Sequence, residues 1–256
     1  MPNPFDPGEL TSARVYDYLL GGRDNYEIDR DMASQMLSRA PELKVLVWFT
    51  RSFMLKAVEM AAAAGIRQFL DLGSGMPISP NVHEVAQRIE PSARVVYVDY
   101  DPVVHAHCEA LLAGPPGVAA LLGDVRRPRD ILDQLRDRAL IDFNEPVAIS
   151  LVGVLHYLMD DDHPAEIIAA FRDQLAPGSY LAITHGSSDS DPEILEVLAG
   201  TNNTSAQVTF RSTAQTEAFL AGFELFEPGV VPVQEWLGPD LPDTRMVMIG
   251  AIGRKP

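Results

Sequence analysis

A chain of 256 residues, 46% hydrophobic and 22% charged, has the composition of a folded globular protein and enough length for one α/β domain with an extension. Its 20 Lys and Arg against 36 Asp and Glu give a formal charge of -16, which argues against nucleic acid and membrane surfaces as partners; the densest basic cluster, Arg126, Arg127 and Arg129, is followed by Asp130 and Asp133. One cysteine, Cys108, excludes an intramolecular disulfide framework and a cysteine-rich zinc site, and no apolar run approaches the ~18 residues of a membrane span.

The start, Met1 to Gly8, lacks a basic n-region and an apolar h-region, so no signal peptide is expected and a reducing, cytoplasmic setting is. Residues 1–64 read as a helical extension, possible lid included. Within it, residues 12–20 form a short helix interrupted by Gly21-Gly22, and Val45, Phe49, Phe53, Ala57 and Ala61 recur every four residues as one packing stripe. From Gly65 the pattern changes, and residues 65–256 form the second unit. Strand-like runs at 67–72, 94–99, 118–122, 146–152 and 179–184 alternate with helix candidates at 79–89, 102–112, 128–138 and 164–175. Three of those helices open on proline, whose missing N–H costs nothing in a first turn. The run Val147-Ala148-Ile149-Ser150-Leu151-Val152 is apolar enough to be covered on both faces, as in a parallel sheet. Residues 223–227, 230–236 and 245–252 read as strands of an antiparallel edge, with Trp48 and Trp236 expected in the core or a cleft wall. The whole predicts a doubly wound α/β sheet with its ligand site outside the carboxyl ends of the strands.

Three strand ends carry the chemistry. Phe69-Leu70-Asp71-Leu72-Gly73-Ser74-Gly75 runs an apolar strand into a glycine turn that lets backbone approach a ligand. A dinucleotide fingerprint would need a third glycine where Ile78 stands, and Asp71 suits an ammonium group better than a phosphate. Val95-Val96-Tyr97-Val98-Asp99 ends in a carboxylate able to accept both hydroxyls of a ribose, with Tyr100 next to it. Leu121-Leu122-Gly123-Asp124, followed by Val125, offers an acceptor for an exocyclic adenine amine. A ligand with a cationic amino acid end, a ribose and an adenine matches that row.

These three blocks resemble the first three motifs of class I S-adenosylmethionine-dependent methyltransferases. A longer likeness covers most of the chain. Ser12-Ala13-Arg14-Val15-Tyr16-Asp17-Tyr18-Leu19-Leu20-Gly21-Gly22 with Asp24-Asn25-Tyr26, the block from Asn81 to Gln87, Val154-Leu155-His156-Tyr157, Ala176-Pro177-Gly178 and the terminal Gly253-Arg254-Lys255-Pro256 resemble an actinobacterial S-adenosyl methyltransferase family once listed as a domain of unknown function. The resemblance implies a Rossmann-like methyltransferase sheet of strand order 3-2-1-4-5-7-6 with the last strand antiparallel, and bound S-adenosylmethionine. Tyr100 departs from that pattern where asparagine is expected, and Arg127 where an acid is.

The expected cofactor contacts are Asp71, Gly73, Ser74, Gly75, Asp99, Tyr100, Asp124 and Val125, with Tyr16, Gly22, Asn25 and Tyr26 folding over them from the extension. His156 and His185 each follow a strand and are candidates to take a proton from a small-molecule acceptor. No metal is expected: Gln87 stands where a second histidine would complete a zinc motif begun by His83-Glu84, and His105 and His107 do not share a helix face. A non-catalytic nucleoside binder and an NAD(P)-dependent oxidoreductase stay open as alternatives, and a homo-oligomer is compatible with the sequence.

Overall fold

In the computed structural model residues 9–112, 114–199 and 207–256 are described. The expectation about Met1 to Gly8 falls outside them. Three helices lead the chain: α1 Ser12–Leu19, α2 Glu27–Arg39 and α3 Leu43–Ala63. Strands and helices then alternate through β1 Gln68–Leu72, α4 Val82–Ile89, β2 Arg94–Asp99, α5 Pro102–Leu112, β3 Val118–Leu122, α6 Pro128–Asp137, β4 Ala148–Leu151, α7 Pro164–Arg172 and β5 Tyr180–Gly186. The remainder comprises α8 Pro192–Ala199, α9 Thr213–Ala218, β6 Glu224–Leu225, β7 Val231–Pro232, α10 Val233–Leu237 and β8 Met248–Arg254.

The sheet runs β3-β2-β1-β4-β5-β8-β6, with β7 paired to β8 beside this path. β1 to β5 are parallel, and β8 runs antiparallel to β5 over seven residue pairs from Tyr180–Arg254 to Gly186–Met248. This is the expected strand order, with β8 as its antiparallel strand 7. β7 is the addition.

Burial explains the element boundaries. β1 is buried along its whole length, as a strand covered by helices on both faces should be. One face packs Leu70, Leu72, Ile149 and Leu151 against Ile131, Leu135, Ile168 and Phe171 of α6 and α7. The other packs Phe69, Val95 and Tyr97 against Val58, Val85 and Cys108 of α3 to α5. The leading helices are tied to the sheet edge through a core that joins Val15, Leu46 and Phe53 to Ala182, Val233 and Ile252. α4 starts at Val82 rather than at the expected 79 because Asn81 and Glu84 form a capping box that fixes the first turn.

Three expectations need correction. Residues 230–236 do not form one strand: after Val231–Pro232 the chain turns into α10, because helical spacing buries Val233 and Trp236 together. There the Trp236 indole meets Phe53 at 5.7 Å and donates to the Gly250 carbonyl at 3.1 Å. Val45 is 43% exposed, since strict four-residue steps drift by about 40° each around a 3.6-residue helix; Leu43, Leu46 and Val47 take its place in the core. Trp48 stands 58% exposed on the outer face of α3. Among the described residues no helix is long and apolar enough to cross a membrane, and no group of three His, Cys, Asp or Glu side chains could hold a metal.

Candidate active site

The carboxyl ends of β1 to β4 open into one cavity. At its floor, the turn after β1 places Gly73 and Gly75 at φ +73 and +64, conformations that favour glycine. The N–H groups of Gly73 and Ser74 donate to the Val98 carbonyl at 2.8 and 3.1 Å, folding the turn over the end of β2. A Cβ built on Gly75 would meet nothing within 4 Å, so the cavity comes directly up to the backbone there.

Parallel register sets the acids. It pairs Asp71 with Ser150 across β1 and β4, and the Ser150 hydroxyl donates to the Asp71 carboxylate. Burial pushes the Asp71 carboxyl up, opposed by that hydrogen bond and by Arg51. Asp99 ends β2 and is 6% exposed; one oxygen accepts from the Gly75 N–H at 2.9 Å and the other from the Asp101 N–H at 3.0 Å. Burial raises its pKa to about 6 despite those two bonds. Asp124, two residues beyond β3, is paired with Arg126 at 2.8 Å. Burial acts to raise its carboxyl, but the hydrogen bonds and charge of Arg126 outweigh burial and hold it below the usual carboxylate range. The Arg126 guanidinium also lies 5.7 Å over the Tyr100 ring, so a cation rests on an aromatic face at this wall.

The opposite wall comes from the leading helices. Ser12, Ala13 and Tyr16 of α1 and Arg51 and Met54 of α3 line the cavity together with Asp71, Gly73, Ser74, Gly75, Asp99, Tyr100, Asp124 and Val125. Tyr16 donates its hydroxyl to the Val47 carbonyl at 3.2 Å, and burial raises its pKa above the usual phenol value. The Arg51 guanidinium is braced on the carbonyls of Ile78 and, at 2.8 Å, Pro80. Gly153, Val154 and Tyr157 close the cavity from the segment after β4.

Five expected site residues lie elsewhere. Gly22, Asn25 and Tyr26 are not among the residues that line the cavity. They serve the buried carboxylate of Asp17 and the start of α2: Asn25 Nδ2 donates to Asp17 at 2.7 Å, a Cβ on Gly22 would come within 1.9 Å of Asp17 Oδ1, and Tyr26 N–H donates to Asp29 at 2.9 Å. His185 is fully buried inside β5. Its Nδ1 bonds to the Gly186 carbonyl at 2.9 Å and its Nε2 to Arg211 Nη1 at 2.7 Å. With its pKa lowered to about 4, mainly by burial, the ring is a neutral acceptor for a guanidinium and has no nitrogen left for a substrate. His156 borders a neighbouring chamber instead of this cavity.

Arg51, Arg126 and Tyr157 were not expected at the site. A usable signal exists for Tyr157, which stands in the block beginning at Val154, next to His156. Arg51 shares a helix face with Met54, three residues on, but neither stands out from a solvated helix surface in sequence.

The residues present fit S-adenosylmethionine: backbone bared by Gly75, carboxylates at three strand ends, a guanidinium near the turn and an aromatic wall at the far end. The family described as S-adenosyl methyltransferase matches residues 2–256. An inferred methyltransferase from Thermobifida fusca YX is 42% identical, with a TM-score of 0.91, over 99% of this chain and 97% of that one. A DUF574 family protein from Streptomyces avermitilis MA-4680 is 38% identical, with a TM-score of 0.93, over 98% of this chain and 99% of that one. An O-methyltransferase family protein from Burkholderia thailandensis, 14% identical over 90% of this chain and 60% of that one, shares the fold with a TM-score of 0.56. No curated protein matches the sequence. This chain belongs to the S-adenosyl methyltransferase family and has the class I methyltransferase fold, and its cofactor is S-adenosylmethionine.

Proposed function

We propose that the protein transfers a methyl group from S-adenosylmethionine to a small-molecule acceptor, with the cofactor lying along the strand ends from Arg51 to Arg126. The observation that carries this reading is that Asp71, Asp99 and Asp124, on three successive strands, line one cavity with the glycine turn. Asp99 accepts the ribose hydroxyls. Asp124 and Val125 meet the adenine edge, beside the wall of Tyr100 and Arg126. Asp71 and the backbone around Gly73 and Gly75 hold the ammonium end, and Arg51 pairs with the carboxylate.

The bound cofactor supplies a methyl group already activated by its sulfonium centre, so the protein's work is positioning and exclusion of water. Ser12, Ala13 and Tyr16 of α1, with Met54 of α3, act as a cover, which is the lid role expected of residues 1–64, carried by these helices rather than by the Gly22 to Tyr26 turn. The setting remains a reducing cytoplasm, in keeping with the buried thiol of Cys108.

Arg51 gives a direct test. In calorimetric titrations with S-adenosylhomocysteine, Arg51→Ala should weaken binding about 10-fold or more, the loss of one charge-assisted pair worth ~1.5–3 kcal/mol. Binding of 5′-methylthioadenosine, which has no carboxylate, should change less than 2-fold. Equal losses for both ligands would remove Arg51 from the carboxylate end.

A further inference from the structure

Beside the cofactor cavity lies a second chamber, and Ser12, Tyr16, Gly153 and Tyr157 border both. Its described lining contains no Asp, Glu, Lys or Arg. The walls are aliphatic and sulfur-bearing, with Leu46 and Val47 from α3, Met36 from α2, and Met246 and Met248 near the start of β8. Phe210 adds one aromatic face. Thioethers adapt to irregular contents and make favourable contacts with aromatic rings. A charged occupant would be stranded there without a partner, at several kcal/mol.

One polar side chain stands out in this lining. His156 is half-buried at the chamber wall, and among the described residues its ring makes no hydrogen bond: Nδ1 is sealed in protein without a partner, while Nε2 is not sealed. An unsatisfied buried polar atom costs ~1–3 kcal/mol, so such an atom in a native fold calls for an explanation. His185, the neighbouring histidine at 6.4 Å between ring centroids, has both nitrogens engaged. The contrast leaves His156 Nε2 as the histidine nitrogen that an occupant of the chamber can meet.

We propose that this chamber is the methyl-acceptor site and takes an uncharged aromatic alcohol, whose ring packs on the methionines and Phe210 and whose hydroxyl donates to His156. The proposal rests on the cofactor assignment above, because the shared wall of Ser12, Tyr16, Gly153 and Tyr157 is where the two ligands meet. In the transfer, the hydroxyl oxygen uses a lone pair to form the new O–CH₃ bond, and the C–S bond breaks with its electron pair left on sulfur. The hydroxyl proton passes to the imidazole and leaves to water after release. Burial, with a smaller contribution from His185, lowers the His156 pKa to about 3, so the ring waits in its neutral, proton-accepting form. Weak basicity suffices, since an oxygen that has gained a methyl group is far more acidic than the parent alcohol.

The test uses the full chain saturated with S-adenosylhomocysteine, and 2-naphthol, naphthalene, 2-naphthylamine and 2-naphthoate as probes followed by fluorescence. The wild type should bind 2-naphthol at least 10-fold more tightly than naphthalene, and 2-naphthoate not at all. His156→Phe should bring 2-naphthol and naphthalene within 2-fold of each other. Val47→Phe and Met36→Phe, which fill the chamber from two different helices, should weaken 2-naphthol at least 10-fold while leaving S-adenosylhomocysteine affinity within 2-fold of wild type, a result that also certifies their fold. With S-adenosylmethionine, 2-naphthol should be methylated on oxygen, and His156→Phe should lower kcat at least 100-fold. The proposal is overturned by S-adenosylhomocysteine binding without 2-naphthol binding, by naphthol affinity indifferent to both filling variants, by binding without methylation, or by preference for 2-naphthoate or 2-naphthylamine. Failure of the wild type to bind S-adenosylhomocysteine would instead overturn the cofactor reading.

Discussion

Replacing Asp99 with asparagine should weaken S-adenosylhomocysteine binding at least 100-fold at pH 7.5. Two hydrogen bonds from ribose hydroxyls to a carboxylate contribute ~1.5–3 kcal/mol each, and an amide presents one acceptor where the ligand needs two. Stability in urea denaturation should change far less, because the acceptor lost by the Gly75 or Asp101 N–H is offset by removal of a buried charge. The pH dependence separates the two effects. In the free protein the Asp99 pKa stands at about 6, above its ordinary 3.8, so its protonated form favours the folded state. That contribution to stability is complete below pH 3.8 and is lost as pH rises through about 6. Ligand binding has the opposite sign, since ribose donors favour the carboxylate. Affinity should therefore be constant above about pH 6 and fall below it, approaching 10-fold per pH unit. The asparagine variant should lose this slope, apart from what remains of Asp71, whose carboxyl is also pushed up by burial. A wild-type profile flat from pH 5 to 8 would remove the ribose role from Asp99.

The second large effect lies outside the cavity. Arg14 and Asp29 form an ion pair at 2.6 Å with side chains 2% and 0% exposed. Asp29 also accepts from the Tyr26 N–H, Arg14 donates to the Glu9 carbonyl, and the Arg14 guanidinium stacks 4.8 Å from the Tyr26 ring. Asp29→Ala should cost about 3–5 kcal/mol by leaving a buried guanidinium unpaired. Against a usual total of ~5–15 kcal/mol, that loss is easily seen in urea midpoints. The double replacement Arg14→Met with Asp29→Leu should recover much of it, since an apolar pair of similar volume carries no stranded charge. Asp29→Ala should also bind cofactor less tightly, because the pair seats α1 and with it Tyr16. A cost below 1 kcal/mol for Asp29→Ala would mean that water reaches the pair. For the same reason, deleting residues 1–28 is a poor probe of the cover: it removes Arg14, Val15 and Leu19 from the core and strands Asp29.

Much of the fold was legible because each signal was local. Apolar runs bounded by turn residues marked β2 and β3 at their observed limits, and proline marked the start of α5 and α6. The three strand-end acids were legible too, since parallel strands bring their carboxyl ends to one edge. α10 was not, because five residues offer too little periodicity to tell Val233 and Trp236 on a helix from the same residues in alternation. α9 carried a readable start in Ser212 and Gln215, which form a capping box. The identity of the ring that can accept a proton depended on partners far along the chain: Arg211, 26 residues away, occupies His185 and leaves His156 as the open one. The Gly22 to Asn25 turn misled for a related reason. Its conformation answers the needs of a buried aspartate, Asp17, which sequence alone did not reveal as buried.

The most direct check on the central claim is calorimetric titration of the full chain with S-adenosylmethionine, S-adenosylhomocysteine and NAD at pH 7.5. The first two should bind at one site per chain at micromolar concentration, weakened at least 100-fold in Asp99→Asn, and NAD should give no heat. Binding of NAD in their place, or of none of the three, would contradict that claim.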